Sequence, residues 1–427
     1  MPRTLLRRTA GGMLLLLTVP LALGAGALAF LGTAAATATI PLLSAAGLAA
    51  LAAVAFLLGW PVFALLRPGR RPFRAAGVLA GVLALATAGL AAVTVFQPLP
   101  TATAVPAPPG TRYWDLPTGS RLAYTKAPAR GTPRPTPVIF LHGGPGTPGD
   151  GIDATGRALA ADGFDVYEYD QLGAGRSTRL ADVTGYTVAR HVADLEAVRQ
   201  AIGAEQVVLI GQSWGGILAA YYLAAHPDRV ARVVFTSPGA LWEGAFPDGN
   251  TGDIWDRLTP AQEDAIDALA YRPRFIAATL LQAINPRAAH ALLGDAEADE
   301  LLRQILLTAA PAAQYPGAPP LHAPDNAAGF WVNQYTSLDA EQVPDPRPAL
   351  RSVPVPALVV RAEGDYKKWA VTYDYKRTLP RATLVYVKGA GHAISSDRPE
   401  LYLSLLRSFL LDRPLPLPAW TSAEPPK

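Results

Sequence analysis

Three long apolar stretches, none of which contains a charged residue, occupy most of the first 96 residues of this 427-residue chain. They cover Gly11–Leu31, Leu42–Leu66 and Ala75–Phe96. A helix needs about 20 apolar residues to cross the hydrocarbon core of a bilayer, where every backbone polar group must find its partner within the protein. The sequence therefore predicts a membrane region, residues 1–96, with three transmembrane helices.

The charges near these stretches predict their orientation. All of them are arginines that precede the first stretch or separate the second from the third: Arg3, Arg7, Arg8, Arg67, Arg70, Arg71 and Arg74. By the positive-inside rule these segments are cytoplasmic, so the chain after Phe96 is predicted to be extracytoplasmic in a multi-pass membrane protein. An alternative is that residues 1–36 are a cleaved signal peptide, which leaves the later chain on the same side.

The rest of the chain differs in charge and in pattern. The net charge of +3 comes from the membrane-proximal arginines, and the remainder is net acidic, so no nucleic-acid partner is expected. The chain has no cysteine, which excludes disulfides and a thiol nucleophile. Residues 97–110 are rich in Pro, Thr and Ala without hydrophobic periodicity and are predicted to form an extended linker.

Short apolar strands alternate with amphipathic helices after the linker. Strands are predicted at Arg112–Leu116, Arg121–Lys126, Val138–Leu141, Asp165–Tyr169, Val207–Ile210, Val230–Phe235, Ala357–Arg361 and Thr383–Val387. Helices are predicted at Thr187–Ile202, Trp214–Ala225 and Pro399–Leu411. Apolar strands separated by helices indicate a mostly parallel sheet covered on both faces, which is an α/β architecture.

A long insertion interrupts this alternation and divides the core into residues 111–240 and 351–427. Residues 241–350 have helical periodicity around Ala261–Leu269, Phe275–Ile284 and Ala296–Leu307 and many prolines. We predict a helical cap over the C-terminal edge of the sheet, where open α/β sheets bind their ligands.

A G-x-S-x-G motif, Gly211–Gly215, follows the apolar strand Val207–Ile210 and precedes a helix. A sharp turn between a strand and a helix needs small residues on both sides of a serine whose hydroxyl projects at the edge of the sheet. This context predicts a nucleophile elbow with Ser213 as the nucleophile, and with it the α/β-hydrolase fold.

A serine nucleophile needs a histidine base and an acid that orients it, in the chain order serine, acid, histidine. Asp365 follows the strand Ala357–Arg361, and His392 follows the strand Thr383–Val387. Both are predicted at the strand-end edge that carries Ser213. Glu363 is a rival candidate for the acid.

The run His142–Gly146 (HGGPG) directly follows another apolar strand, at the position of the second oxyanion donor in this fold. The backbone amides of Trp214 and Gly144, with Gly143 as the alternative to Gly144, are predicted to bind the oxyanion. A phosphate-binding loop is the competing interpretation, but no Lys-Ser/Thr pair follows and Pro145 lacks an amide donor.

At these residues the sequence resembles the proline iminopeptidase family of serine peptidases. The resemblance rests on HGGPG at His142, DQLGAGRS at Asp170–Ser177 and GQSWGG at Gly211–Gly216, with further support from the V-R-x-E-x-D run ending at Asp365 and GAGH ending at His392. It implies an α/β-hydrolase fold, the Ser-Asp-His triad and a preference for an N-terminal proline or another small residue.

The leading functional prediction is a membrane-anchored aminopeptidase that releases an N-terminal residue through an acyl-serine intermediate. An acid in the insertion, for which Glu243 is the candidate, would pair with the terminal ammonium group of the peptide. A carboxylesterase or lipase would use the same triad on small acyl substrates, and a non-catalytic membrane-anchored binding protein is a third possibility. None of these three functions needs a metal or another cofactor. The expected partners are a peptide or small acyl substrate and the lipid bilayer.

Overall fold

The computed structural model describes residues 2–66, 71–102, 105–321 and 324–426. Arg67 and Arg70, two of the arginines that orient the predicted membrane region, lie outside the described residues. The chain divides into two compact units. The first contains Met1–Pro100 and Ala268–Glu297, and the second contains Thr101–Asp267 and Ala298–Lys427.

The helices of the described ranges are, in chain order, α1 (Pro2–Ala34), α2 (Ile40–Leu66), α3 (Pro72–Val93), α4 (Ala154–Ala161), α5 (Val188–Ile202), α6 (Trp214–Ala225), α7 (Pro260–Ala270), α8 (Pro273–Gln282), α9 (Pro286–Leu292), α10 (Asp295–Ala313), α11 (Phe330–Ala340), α12 (Arg347–Leu350), α13 (Trp369–Thr378), α14 (Ile394–Asp397) and α15 (Pro399–Leu410). The strands are β1 (Arg112–Asp115), β2 (Arg121–Ala127), β3 (Val138–Leu141), β4 (Val166–Tyr169), β5 (Val207–Gln212), β6 (Val230–Thr236), β7 (Ala357–Gly364) and β8 (Ala382–Gly391).

The first unit contains the three apolar helices that the sequence predicts. Helices α1, α2 and α3 are each long and apolar enough to cross a membrane. The third ends at Val93 rather than at the predicted Phe96, because the chain leaves helical geometry at Thr94. Helices α1 and α2 approach closely at two glycines, where a Cβ atom on Gly26 would lie 3.0 Å from the carbonyl oxygen of Gly47. Small residues at such a crossing allow two membrane helices to pack backbone against backbone.

The first unit also includes a piece of the long insertion. Residues 268–297, which lie within the predicted cap, contribute α8 and α9 to this unit. Leu281, Ala288 and Leu292 on these two helices are buried. The insertion contains helices α7 to α12, and they are divided between the two units.

The second unit is built on a sheet of eight strands in the order β1-β2-β4-β3-β5-β6-β7-β8. β2 pairs antiparallel with β1 and β4, and β4, β3, β5, β6, β7 and β8 pair in parallel. The prediction of a mostly parallel α/β sheet is therefore confirmed. The central strands are buried on both faces, with apolar side chains such as Leu209, Val234 and Leu358 fully inaccessible. This buried sheet is the rigid base for the loops that follow β3, β5, β7 and β8.

Local sequence signals explain where the main surface helix begins and ends. Helix α5 begins after Thr187, whose side chain accepts a hydrogen bond from the Arg190 amide, and it ends at Gly203, which has a φ of 76°. A threonine N-cap satisfies one free amide of the first turn, and glycine adopts the left-handed conformation of the C-cap without strain. The predicted boundaries of this helix hold to within a residue.

Candidate active site

Ser213 lies at a strained turn between β5 and α6. Its φ is 53° and its ψ is −116°, in a region that residues with a side chain rarely adopt. Its amide donates a hydrogen bond to the carbonyl oxygen of Thr236 at the end of β6, at a distance of 3.0 Å. Strain of this kind persists only where the surrounding structure fixes the backbone. The predicted nucleophile therefore has the backbone geometry of an elbow.

The two glycines of the motif are required by packing. A Cβ atom on Gly211 would collide with the carbonyl oxygen of Gly215, and one on Gly215 would collide with the carbonyl oxygen of Leu141 in β3. The obstacles are backbone atoms, which cannot move aside without displacing α6 or β3. The glycines thus allow β5, α6 and β3 to approach closely enough to form the turn that displays Ser213.

Asp365 and His392 are brought together by the pairing of β7 with β8. Gly364 pairs with Gly391 at the last register position of these parallel strands, so the residues that follow each strand are neighbours. The Nδ1–H group of His392 donates to Oδ1 of Asp365 at 2.8 Å. Both strands are longer than predicted and carry the two residues directly at their ends.

The carboxylate of Asp365 is buried and held in its charged form. Nη1 of Arg361 lies 3.2 Å from Oδ2, and the Lys367 amide donates to Oδ1 at 3.0 Å. Burial alone would raise the pKa of Asp365, but His392, Arg361 and the Lys367 amide together lower it to about 2. An ionised carboxylate is the form that stabilises a protonated histidine.

Glu363, the other candidate for the acid, forms its hydrogen bond with the Gly389 amide instead of with His392. Its side chain is exposed and accepts a hydrogen bond from the Gly389 amide at 2.8 Å. The pairing of β7 with β8 is irregular between Ala362 and Gly364, and β7 ends before Asp365. Of the two acids, the aspartate forms the hydrogen bond with His392. The structure therefore joins His392 to Asp365.

Tyr366 is part of the site, although it belongs to none of the sequence motifs. Its ring is stacked on the imidazole of His392, with ring centroids 4.2 Å apart. Burial raises the pKa of Tyr366, and a hydrogen bond with Ser213 opposes that shift. Within the described part of the chain, Nε2 of His392 is buried and has no hydrogen-bond partner. Tyr366 therefore contacts both Ser213 and His392. In the sequence, the one indication of this role is that Tyr366 directly follows Asp365.

The HGGPG loop lies against the elbow. A Cβ atom on Gly143 would lie 3.3 Å from the Cβ atom of Ser213. Gly144 has a φ of 109°, and a side chain there would meet the amide of Gly146 at 2.6 Å. Trp214 is the first residue of α6, where backbone amides have no partner within the helix. The HGGPG loop and the first residue of α6 therefore both lie beside Ser213.

A buried network connects the three sequence motifs. The amide of Gln171 donates to Nε2 of His142 at 3.0 Å, and its side-chain nitrogen donates to the His142 carbonyl oxygen at 3.0 Å. Nε1 of Trp214 donates to Oε1 of Gln171 at 2.8 Å. Burial lowers the pKa of His142 to about 4, so the ring is neutral and Nε2 accepts. Gln171 therefore fixes the HGGPG loop to the start of α6, a role that the DQLGAGRS motif does not by itself indicate.

The rest of the DQLGAGRS block forms a closed turn that is tied to the insertion. Oδ2 of Asp170 accepts a hydrogen bond from the Arg176 amide at 2.8 Å, and Oδ1 accepts one from Nδ2 of Asn326 at 2.9 Å. Gly175 has a φ of 54°, and a side chain there would collide with the Asp170 carboxylate. The block therefore has a structural role beside the site.

Glu243 lies in a short 3-10 turn, Glu243–Ala245, soon after β6. Its side chain is half-buried. Burial raises the pKa of Glu243, while Lys367 lowers it and Glu341 raises it further. Lys367 belongs to the loop that carries Asp365, so the carboxylate is close enough to that loop for an electrostatic interaction.

This chain is similar to several known proteins. Residues 136–399 match the model of a family described as alpha/beta hydrolase fold. A proline iminopeptidase of Heyndrickxia coagulans is 42% identical over 129 residues, which cover 30% of this chain and 43% of that protein. A proline iminopeptidase of Lactobacillus delbrueckii subsp. bulgaricus is 26% identical over 311 residues, which cover 70% of this chain and 97% of that protein. A solved structure of the proline iminopeptidase of Mycobacterium smegmatis aligns with 71% of this chain and 98% of that chain, with a TM-score of 0.47 and 22% identity.

Proposed function

Because this chain belongs to the alpha/beta hydrolase fold family, we propose that it is a membrane-anchored serine hydrolase, and specifically an aminopeptidase that releases an N-terminal proline or another small residue from peptides. The observation that carries the serine-hydrolase part is the position of the 2.8 Å Asp365–His392 hydrogen bond next to the strained Ser213 turn. The peptidase part is supported by the similarity to proline iminopeptidases.

In the proposed mechanism, Oγ of Ser213 attacks the carbonyl carbon of the scissile bond while Nε2 of His392 takes its proton. Asp365 accepts the Nδ1–H group, which keeps Nε2 free to act as a base and stabilises the imidazolium ion. The amides of Trp214 and of Gly144 or Gly143 bind the oxyanion of the tetrahedral intermediate. The imidazolium proton then goes to the leaving amine, and water, activated by His392, hydrolyses the acyl-serine.

Nε2 of His392 has no hydrogen-bond partner among the described residues. Before attack, it must accept a hydrogen bond from the Ser213 hydroxyl. Tyr366 already contacts both side chains, so a small rotation of its hydroxyl away from Ser213 is part of the proposed approach to the reactive geometry. Hydrogen bonds at a catalytic site often shorten only when substrate is bound.

Selection for a free N-terminus needs a group that recognises an ammonium ion. We assign this role to Glu243, because it is half-buried and lies near the loop of Asp365. A partly desolvated carboxylate forms a strong charge-assisted hydrogen bond with an ammonium group, whereas a peptide bond within a chain offers no such charge.

Replacing Glu243 with glutamine should reduce kcat/KM for an aminoacyl substrate, proline p-nitroanilide, by about 1 to 3 kcal/mol in transition-state free energy, while activity on p-nitrophenyl acetate is kept. The matched control is Glu263→Gln, which neutralises an exposed acid of the same insertion that does not act on Glu243. Steady-state kinetics of both variants on both substrates make the measurement.

Three results would count against parts of this proposal. An equal loss of Glu243→Gln on both substrates would indicate a folding defect, and no loss on either would remove Glu243 from the site. The esterase alternative would be favoured if the protein hydrolysed acyl esters and also hydrolysed N-acetylated proline p-nitroanilide as fast as proline p-nitroanilide, whose amine is free.

The membrane part of the proposal is supported by the three apolar helices and the arginines that flank them, among them Arg7, Arg8, Arg71 and Arg74. We place the loop between α2 and α3 in the cytoplasm and the linker 97–110 with the hydrolase unit outside it.

The absence of cysteine from the chain makes this topology measurable. In the variant Ala107→Cys, in the linker, a membrane-impermeant maleimide should label intact cells. In the variant Arg71→Cys the same reagent should label only after the membrane is permeabilised. The opposite pattern would place the hydrolase unit in the cytoplasm.

A further inference from the structure

We propose that the first unit binds one acyl chain of a membrane phospholipid in a cavity between its helices. The cavity has a volume of about 440 Å³ and is lined by α1, α2, α3, the segment that follows α3, and α8. The inference rests on the proposed membrane location and is independent of the proposed hydrolysis.

The walls of the cavity are almost entirely apolar. They include Gly26 and Phe30 of α1, Gly47 of α2, Ala88 of α3 and Val95 just after it. The volume is within the range of typical small-molecule sites, which is roughly 300–1,000 Å³. A cavity with so few polar groups offers water few hydrogen-bond partners, so an apolar occupant is favoured over solvent.

The position of the cavity along the helices indicates what that occupant is. It is lined by the last turns of α1 and α3 and by the early turns of α2. These turns lie at one end of a bundle of three helices, each long enough to span a bilayer. In a bilayer the medium around these turns is lipid. The occupant available at this depth in high concentration is therefore the acyl chain of a phospholipid.

Helix α8 provides the second, independent observation. Ile276 and Leu280 are four residues apart on α8 and are 42% and 51% exposed, and Ile284, two residues beyond the end of the helix, is 42% exposed. Residues with this spacing share one face of a helix. An exposed apolar stripe of this kind is typical of a helix that lies in the membrane interface. Helix α8, which forms one wall of the cavity, is thus suited to contact with lipid.

Polar contacts fix α8 and α9 to the helix ends and keep the cavity formed. Nη1 of Arg274 donates to the carbonyl oxygen of Val95 at 3.1 Å, and the same guanidinium forms a two-point pair with Glu297 at 2.7 and 3.0 Å. Nδ2 of Asn285 donates to the carbonyl oxygen of Ala34 at 2.8 Å. These bonds satisfy carbonyl groups at or just beyond the C-terminal ends of α1 and α3.

The test uses full-length protein reconstituted in vesicles of phosphatidylethanolamine and phosphatidylglycerol that contain a phosphatidylcholine with a diazirine near the end of one acyl chain. After irradiation, mass spectrometry maps the crosslinked peptides. Crosslinks should concentrate on peptides that line the cavity. In Ala88→Trp, where the larger side chain fills the cavity, they should fall roughly tenfold, which corresponds to about 1.4 kcal/mol. The matched control, Ala86→Trp on the same helix, replaces an exposed residue and should label as the wild type does.

Thermal unfolding and flotation of the vesicles show whether each variant is folded and membrane-integrated, and Ala277→Trp, which fills the cavity from α8, replaces Ala88→Trp if that variant is misfolded. Crosslinks spread over the outer faces of α1, α2 and α3, or an equal yield from the variants of Ala88 and Ala86, would overturn the proposal. A chain that fails to float would overturn it as well. Because the readout needs no turnover, a localised crosslink in an inactive protein would leave the lipid site in place and reject only the hydrolase assignment.

Discussion

Replacing Ser213 with alanine should reduce the turnover of any substrate of this protein by roughly 10⁵- to 10⁶-fold, because the members of a catalytic triad act as a unit and the loss of the nucleophile removes the covalent route. The fold should be retained, since alanine has no side chain beyond the Cβ atom already present at this strained turn. Steady-state kinetics and thermal unfolding of the purified variant measure the two effects.

Ser237 offers a matched control for this experiment. It is fully buried, follows β6 as Ser213 follows β5, and also has a positive φ, of 41°. Ser237→Ala should keep activity close to that of the wild type. A fluorophosphonate probe should label the wild type at Ser213 and fail to label His392→Ala. Labelling at Ser237, or near-normal turnover by Ser213→Ala, would reject the assignment of the nucleophile.

Replacing Asp365 with asparagine should lower kcat by roughly 10⁴-fold, since an asparagine does not hold the histidine in the required tautomer. The matched control is Glu363→Gln, which neutralises the exposed acid two positions earlier and should leave kcat close to that of the wild type. If the glutamine variant lost activity and the asparagine variant kept it, Glu363 would be the acid.

The same substitution should change stability in a pH-dependent way. The pKa of Asp365 in the folded protein, about 2, is lower than its ordinary value of 3.8. Its contribution to the free energy of unfolding is therefore complete above pH 3.8 and is lost as the pH falls through 2. Because Arg361 would lose its buried partner, the asparagine variant should be less stable near neutral pH, and the difference from the wild type should shrink in acid. Denaturant unfolding at several pH values measures this difference.

Much of the second unit can be predicted from the sequence, because continuous apolar strands and amphipathic helices have clear periods. The elbow, Asp365 and His392 follow from short motifs placed at strand ends. Gln171 and Tyr366 could not be assigned in the same way. Gln171 acts through contacts with His142 and Trp214, which are distant in the sequence, and Tyr366 acts through a ring contact with a residue on the next strand.

The insertion was harder to predict for a different reason. Helical periodicity shows that α8 has an apolar face, but not which element covers that face. Residues 268–297 belong with α1, α2 and α3, and only the three-dimensional contacts show it. The charge pair between Arg274 and Glu297 is equally invisible in the sequence, since it joins two helices across an intervening one.

That grouping has a practical consequence for anyone who engineers this protein. The chain passes from one unit to the other after Pro100, after Asp267 and after Glu297, so the N-terminal helices are not a detachable tail. A truncated form that starts at the linker would retain α8 and α9 without α1, α2 and α3. Ala277 and Leu280, which line the cavity together with those helices, would then face solvent. Exposed apolar surface of this kind promotes aggregation. Expression trials should therefore keep the whole chain in detergent or lipid, and transplanting the hydrolase unit onto another anchor would require redesign of the two helices as well.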